Sequence, residues 1–253
     1  MKRVGLPLAL LALLLGVWEL YVDLGGADPV ILPPPHDVLK SLVDDRGLLW
    51  SNFLVSAREV VLGIVLAVMV ALLLAIAIHF SATLRRAAYP LLIASQTIPF
   101  PMLAPLLVLW LGFGIAPKLV VIAIVSFFPI VVTTFAALEA VDRDLLKLMR
   151  TFDASRGRTF WHVELPSALP GVFTGTKVAV VVAVIGAVFA ELAGANSGLG
   201  YLFQQAEANL LIPRAYAAVV ILSLFAIVLF ALLTIAEHRV LPWAYQSRGD
   251  VAQ

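Results

Sequence analysis

The chain of 253 residues contains no cysteine, so it holds neither a disulfide framework nor a thiolate metal site. It is also poor in charge. Charged residues make up 13% and hydrophobic residues 62%, whereas soluble domains carry about 25% charge. That balance excludes an ordinary soluble domain. A phosphate-binding loop is lacking too. The nearest stretch, "GVFTGTKV" from Gly171 to Val178, is one residue short of G-x-x-x-x-G-K-[ST], has Thr176 in the way, and ends in Val178 where a hydroxyl is needed. Any ATP chemistry must therefore come from another chain, and Lys177 reads as an anchor at one end of a membrane span. The spans show no carboxylates paired with basic groups and no clear internal repeat, the marks of an ion-gradient-driven transporter. Buried basic residues are likewise not expected.

What is present is long apolar runs. A bilayer span needs about 20 mostly apolar residues. Six stretches reach or approach that length: Val4–Tyr21, Val60–Phe80, Tyr89–Leu111, Leu119–Leu138, Val172–Ala193 and Ala215–Ala236. The first could be a signal peptide, with Lys2 and Arg3 ahead of it and Gly25-Gly26-Ala27 behind. The run containing Trp18 is long enough to remain as an anchor, and five spans follow it. The expected fold is all-α and polytopic, with six transmembrane helices. Residues 1–52 form the first helix and an outer segment, 53–240 the transmembrane domain, and 241–253 a tail.

Lys and Arg are unevenly shared between alternate loops. Lys2, Arg3, Arg85, Arg86, Arg143, Lys147, Arg150, Arg156, Arg158, Arg239 and Arg248 fall on one side. The other side has Lys40, Arg46, Lys118 and Arg214, with Arg58 near a span entrance. Both termini are therefore expected in the cytoplasm, and "ILPPPHDVLKSLVDD" outside. His79, Arg85 and Arg86 mark the bilayer edge.

One long polar segment, Glu139–Pro170, interrupts the apolar runs on the cytoplasmic side. Leu145, Leu146, Leu148, Met149 and Phe152 recur at helical spacing. Asp142 and Asp144 come early, Lys147 and Arg150 late, as the helix dipole favours. A second short helix is expected over Ala154–Val163, stopped by Pro166 and Pro170. Helix, turn, helix outside the bilayer either presents a surface to a partner or simply connects two spans.

"DLLKLMRTFDASRGRTFWHVELPSALPGVFTG" resembles the cytoplasmic EAA loop of binding-protein-dependent ABC importer permeases. Leu165-Pro166 and Pro170 match its end, and Arg150, Ala154 and Ser155 its middle. Lys147-Leu148-Met149 replaces the usual acidic-Ala-Ala triplet. Asp153 stands where glycine is usual, and Asp tolerates left-handed backbone better than most residues. "SQTIPFPMLAPLLVLWLGFGIAPK", "VIGAVFAELAGANSGLGYLFQQA" and "LPPPHDVLKSLV" resemble the nitrate, sulfonate and taurine branch of that family. "LMRTF" and "VIGAVFAELAGAN" are similar to permeases for vitamin precursors, such as a thiamine pyrimidine or riboflavin.

The resemblance implies a permease subunit working as a pair, with two ABC ATPase subunits inside and a substrate-binding protein outside. No covalent catalysis, cofactor, metal or nucleic acid is implied. Coupling to the ATPase would fall to Lys147, Met149, Arg150, Asp153, Ala154, Ser155, Arg156, Leu165 and Pro166, with Phe160 and Trp161 adding interface contacts.

Broken backbone is tolerated in a bilayer only where protein or a water-filled cavity covers it. Ser95, Gln96, Thr97 and Pro99, followed by Pro101 and Pro105, therefore mark either a pathway-lining element or a kinked packing helix. Ser126, Thr133 and Thr134 line the same path or bond back to their own helix. Glu191, ionisable and near the end of a span, is either functional or bonded to the loop at Asn196 and Ser197. Ala179, Ala183, Gly186, Ala190 and Gly194 suit a close helix contact, within the subunit or across a dimer. The alternatives from other classes are an ion-gradient-driven secondary transporter and a membrane anchor or assembly factor.

Overall fold

The computed structural model describes Lys2–Ala244, without the side chains of Lys2, Arg3, Val4 and Leu8. The readings for those basic side chains, Arg248 and Gln253 lie outside the described residues. Every element among the described residues is helical: α1 (Lys2–Asp23), α2 (Pro35–Asp44), α3 (Arg46–Phe80), α4 (Ala82–Ser95), α5 (Phe100–Leu111), α6 (Ile115–Glu139), α7 (Arg143–Thr151), α8 (Arg156–Thr159), a π-helical turn (Phe160–Glu164), α9 (Leu165–Leu192), α10 (Leu199–Ala208) and α11 (Ile212–Val240). Five helices are long and apolar enough to cross a bilayer, and six if the bent pair α4–α5 counts as one span.

The chain divides into two compact units, Met1–Ser56 with Ala195–Leu224, and Ala57–Gly194 with Phe225–Gln253. In the first unit, α2 starts where Pro34 and Pro35 set the backbone for an N-terminal turn. The segment after the first span is thus partly helix. Asn52 Oδ1 accepts from Gly198 N at 2.8 Å and Ser56 Oγ from Leu199 N at 2.8 Å. These bonds satisfy the first amides of α10, which no side chain of its own caps. Asp45 accepts two hydrogen bonds from Arg214, at 2.9 and 2.7 Å. That guanidinium holds the Asp45 carboxyl below its ordinary range. His36 bonds to Glu19, which raises the imidazole above its usual value.

The second unit is built on α6 against α9. A Cβ on Gly175 would lie 2.8 Å from Pro129 O and Ile130 Cα, and one on Gly171 2.8 Å from Thr133 O. Ala179 and Ala183 are fully buried at the same seam, and Gly186 faces Val125 and Ile122. Small residues are needed here because the two backbones nearly touch, which is how helices gain contact area in lipid. The small-residue stripe therefore serves a contact within the chain.

Three expectations are corrected. First, α3 begins at Arg46 rather than Val60. Its 35 residues extend about 52 Å at 1.5 Å each, well beyond a hydrocarbon core of about 30 Å. The polar residues Ser51, Asn52, Ser56 and Glu59 hid this extension from a hydropathy reading. Second, the proline-broken stretch expected over Tyr89–Leu111 starts earlier, at Ala82, and is two helices. α4 and α5 meet at 100°, with Pro99 as N-cap of α5 and Pro101 in its first turn. Third, Pro166 and Pro170 do not interrupt the chain, which stays helical from Arg156 to Leu192 over 37 residues. The π turn bonds Leu165 N to Phe160 O, a wider register that absorbs the misfit ahead of Pro166. The carbonyls a turn before Pro166 belong to exposed residues, Trp161 and His162, where solvent is within reach.

Candidate functional site

The connection between α6 and α9 is a helix–turn–helix. Asp142 caps α7 by accepting from Asp144 N at 2.8 Å. At the other end Asp153 N donates to Arg150 O and Ala154 N to Met149 O, both at 3.0 Å. This is a Schellman closure, which places its C′ residue in the left-handed region. Asp153 has φ 53°, so the position where the sequence pattern wants glycine is the one that needs it. Ser155 then caps α8, accepting from Arg158 N at 3.3 Å.

The second arm is rooted by an aromatic cluster. Phe160 is buried at 2% exposure against Leu138 and Ala168, with Leu165 partly buried alongside. Its ring lies 5.9 Å from His79 and 5.0 Å from Phe80. His79 Nε2 and Glu164 Oε2 bond at 2.9 Å, and the Arg156 guanidinium stands 5.4 Å above the Phe80 ring. His79 thus ties α3 to the hairpin rather than only marking an edge. Phe160, expected at a partner interface, is instead an internal anchor. A large apolar side chain at the foot of a hairpin gains more from burial than from display.

The hairpin leaves the apolar side chains of Leu145, Leu148, Phe152 and Trp161 uncovered, with Phe152 at 71% and Trp161 at 64% exposure. Lys147, paired with Asp144 at 2.7 Å, and Arg150, Ser155 and Arg156 are exposed around it. Met149 and Ala154 are half-buried in the closure, and Leu165 and Pro166 at the foot.

The expected path residues do not form one group. Ser95, Gln96, Thr97 and Pro99 lie together at the α4–α5 break, where Ser95 Oγ donates to Leu92 O at 2.7 Å and Thr97 Oγ1 to Ala94 O at 2.8 Å. Gln96 Nε2 donates to Ser95 Oγ at 3.3 Å. Ser126 is fully buried between α6 and α9. Thr133 Oγ1 donates to Pro129 O at 2.8 Å, back into its own helix.

Glu191 belongs to a cluster that the sequence reading missed. Lys118 Nζ donates to Glu59 Oε1 at 2.5 Å, and the two side chains are 9% and 4% exposed. Glu191, 1% exposed, is close enough to interact with the Glu59 carboxyl group. Glu59 Oε2 has no hydrogen-bond partner among the described residues. The cluster joins α3, α6 and α9. A second pair, Lys177 to Glu237 at 2.7 Å, joins α9 to α11, so Lys177 is more than an end anchor; "GVFTGTKV" is helical, in keeping with its place in a span. Buried basic residues and paired carboxylates are therefore present, against expectation. A signal did exist: Asn52, Ser56 and Glu59 recur at helical spacing, a polar stripe running into an apolar span.

Residues 61–242 match the family described as binding-protein-dependent transport system inner membrane component. The chain belongs to this family. It is a multi-pass inner membrane component of a transport system. The formylaminopyrimidine transport permease protein ThiX of Halalkalibacterium halodurans is 35% identical over 238 residues, 94% of this chain and 95% of that protein. The riboflavin transport system permease protein RibX of Chloroflexus aurantiacus is 34% identical, covering 94% and 90%. The taurine transport system permease protein TauC of Escherichia coli is 30% identical, covering 96% and 90%. The same fold occurs in the inward-facing MetNI methionine ABC transporter, with a TM-score of 0.64 at 18% identity over 78% of this chain and 96% of that one.

Proposed function

We propose that this permease works as a pair, with ABC ATPases docked on the α7–α8 hairpin and a binding protein at the opposite face, and that it imports a small heterocyclic vitamin precursor. The observation that carries the coupling role is the hairpin itself: an apolar tip held on a rigid aromatic root continuous with a 37-residue helix. Force applied at Leu148, Phe152 and Trp161 passes through Phe160 and Glu164 to α3 and α9, so ATP-driven closure of the ATPases rocks the spans. The Lys/Arg asymmetry supports a cytoplasmic hairpin, and a reporter fused to the C-terminus tests that orientation. The path is assigned to the α4–α5 break around Ser95–Pro99, supported by its proline-freed backbone. Similarity to ThiX and RibX over nearly the whole chain supports the solute class.

Ala154, half-buried at the close of the α7 cap, is the point of test. Ala154→Glu should lower retention of the ATPase and ATP-driven uptake into proteoliposomes, while the permease still folds. Normal retention with normal uptake would reduce the hairpin to a connector. Uptake that a protonophore abolishes while ATP remains would instead identify a gradient-driven transporter using the buried Glu59–Lys118 pair. Labelled aminopyrimidine, riboflavin and taurine, each with its binding protein, resolve the solute.

A further inference from the structure

At the end of the bundle where α6 meets its hairpin, the second unit holds a cavity of about 440 Å³. Arg85, Arg86 and Tyr89 line it from α4, and Val132, Phe135 and Glu139 from α6. Its size falls within the range of about 300–1,000 Å³ usual for small-ligand sites. The lining mixes charged and phenolic side chains with apolar ones.

The charge does not balance within the protein. Arg85 Nη1 bonds to Glu139 Oε1 at 2.6 Å, which neutralises one guanidinium. Arg86 has no carboxylate partner among the described residues and is exposed. Both arginines stand in the first turns of α4, where the helix dipole disfavours cations, and no acidic residue occupies the first turn to compensate. One cation is thus left over at the lining of a cavity that Tyr89 also lines.

We propose that this cavity binds a phosphate group bearing one uncompensated negative charge, carried by an anionic phospholipid or by a free phosphate compound. Arg86 supplies the charge, Tyr89 a hydroxyl donor, and Arg85 its remaining N–H groups, because Glu139 occupies only part of its fork. Val132 and Phe135 would receive the first methylenes of an acyl chain. Basic cavities between helices at the cytoplasmic edge hold lipid headgroups in this manner. Only the choice of leaflet rests on the orientation proposed above, which the C-terminal reporter tests separately.

The test uses the chain in nanodiscs of phosphatidylglycerol or phosphatidylcholine, read by native mass spectrometry. A lipid source predicts retained phosphatidylglycerol on the wild type. Arg86→Ala should reduce it about fivefold, the factor for one cationic contact with an anionic lipid. Arg86→Lys and Arg239→Ala should keep it, since the first preserves the charge and the second removes an exposed arginine outside the cavity. A free-phosphate source predicts no such adduct. Inorganic phosphate should then raise the unfolding midpoint in phosphatidylcholine discs for the wild type but not for Arg86→Gln. Equal retention by wild type and Arg86→Ala, equal loss in Arg239→Ala, or no response to either probe would overturn the proposal.

Discussion

Removing Lys118 should destabilise the permease more than any other single charge deletion at its cluster. The ammonium sits 2.5 Å from Glu59 Oε1, with both side chains under a tenth exposed and Glu191 alongside. At an effective dielectric constant of about 20, the Lys118–Glu59 attraction is roughly 6–7 kcal/mol, much of it offset by desolvation. Breaking such a pair costs about 3–5 kcal/mol because the remaining charge stays buried. Lys118→Met leaves two interacting carboxyl groups with only the exposed Arg58 as a nearby cation, so it should fall in that range. Glu59→Gln should cost less, since the Gln amide oxygen can still accept from Lys118. The double variant Glu59→Gln/Lys118→Met should recover at least half of the Lys118→Met loss, a coupling above about 1 kcal/mol for residues in direct contact. Unfolding midpoints of the purified permease in detergent measure all three. Lys118→Met unfolding with the wild type, or a double variant that simply sums the singles, would refute the account of the cluster as a mutually dependent ionic joint.

Three further outcomes are expected. Gly175→Val should disrupt folding by about 3 kcal/mol or more, because its Cβ would meet the α6 backbone at 2.8 Å, while Val181→Leu on an exposed face should be neutral; equal tolerance in a folding assay would remove the close seam. Asp153→Gly should raise the unfolding midpoint, relieving about 1 kcal/mol of left-handed strain, and Asp153→Val should lower it; the reverse order would show that the turn is not closed as described. The Asp45–Arg214 contribution should be complete above the ordinary carboxyl value near 3.8 and be lost as pH falls through the lower folded value, so acid titration should unfold wild type and Arg214→Ala at converging midpoints; curves that stay parallel below pH 4 would sink that reading.

Much of this molecule was legible in one dimension because a bilayer imposes simple rules. Apolar length reports spans, and the lone polar segment Glu139–Pro170 stands out against them. The need for a left-handed residue at Asp153 could also be read, since a helix closure is local. Tertiary structure decided what depends on neighbours far along the chain. Hydropathy averages hid the first turns of α3, because Asn52, Ser56 and Glu59 are polar until Gly198, Leu199 and Lys118 satisfy them. The prolines at 166 and 170 looked like breaks, since a sequence does not show that a π turn will carry the helix past them. Phe160 and Trp161 are adjacent and chemically alike, yet one is the root and the other the surface. Which of the two is buried depends on where α3 places His79 and Phe80, some eighty residues earlier. Lys118 read as a loop charge because its value rests on Glu59 and Glu191, brought to it by two other helices. Local backbone demands and solvent preference are written in the residues themselves. Pairing of buried charges is a property of their juxtaposition, and only the packed helices supply it.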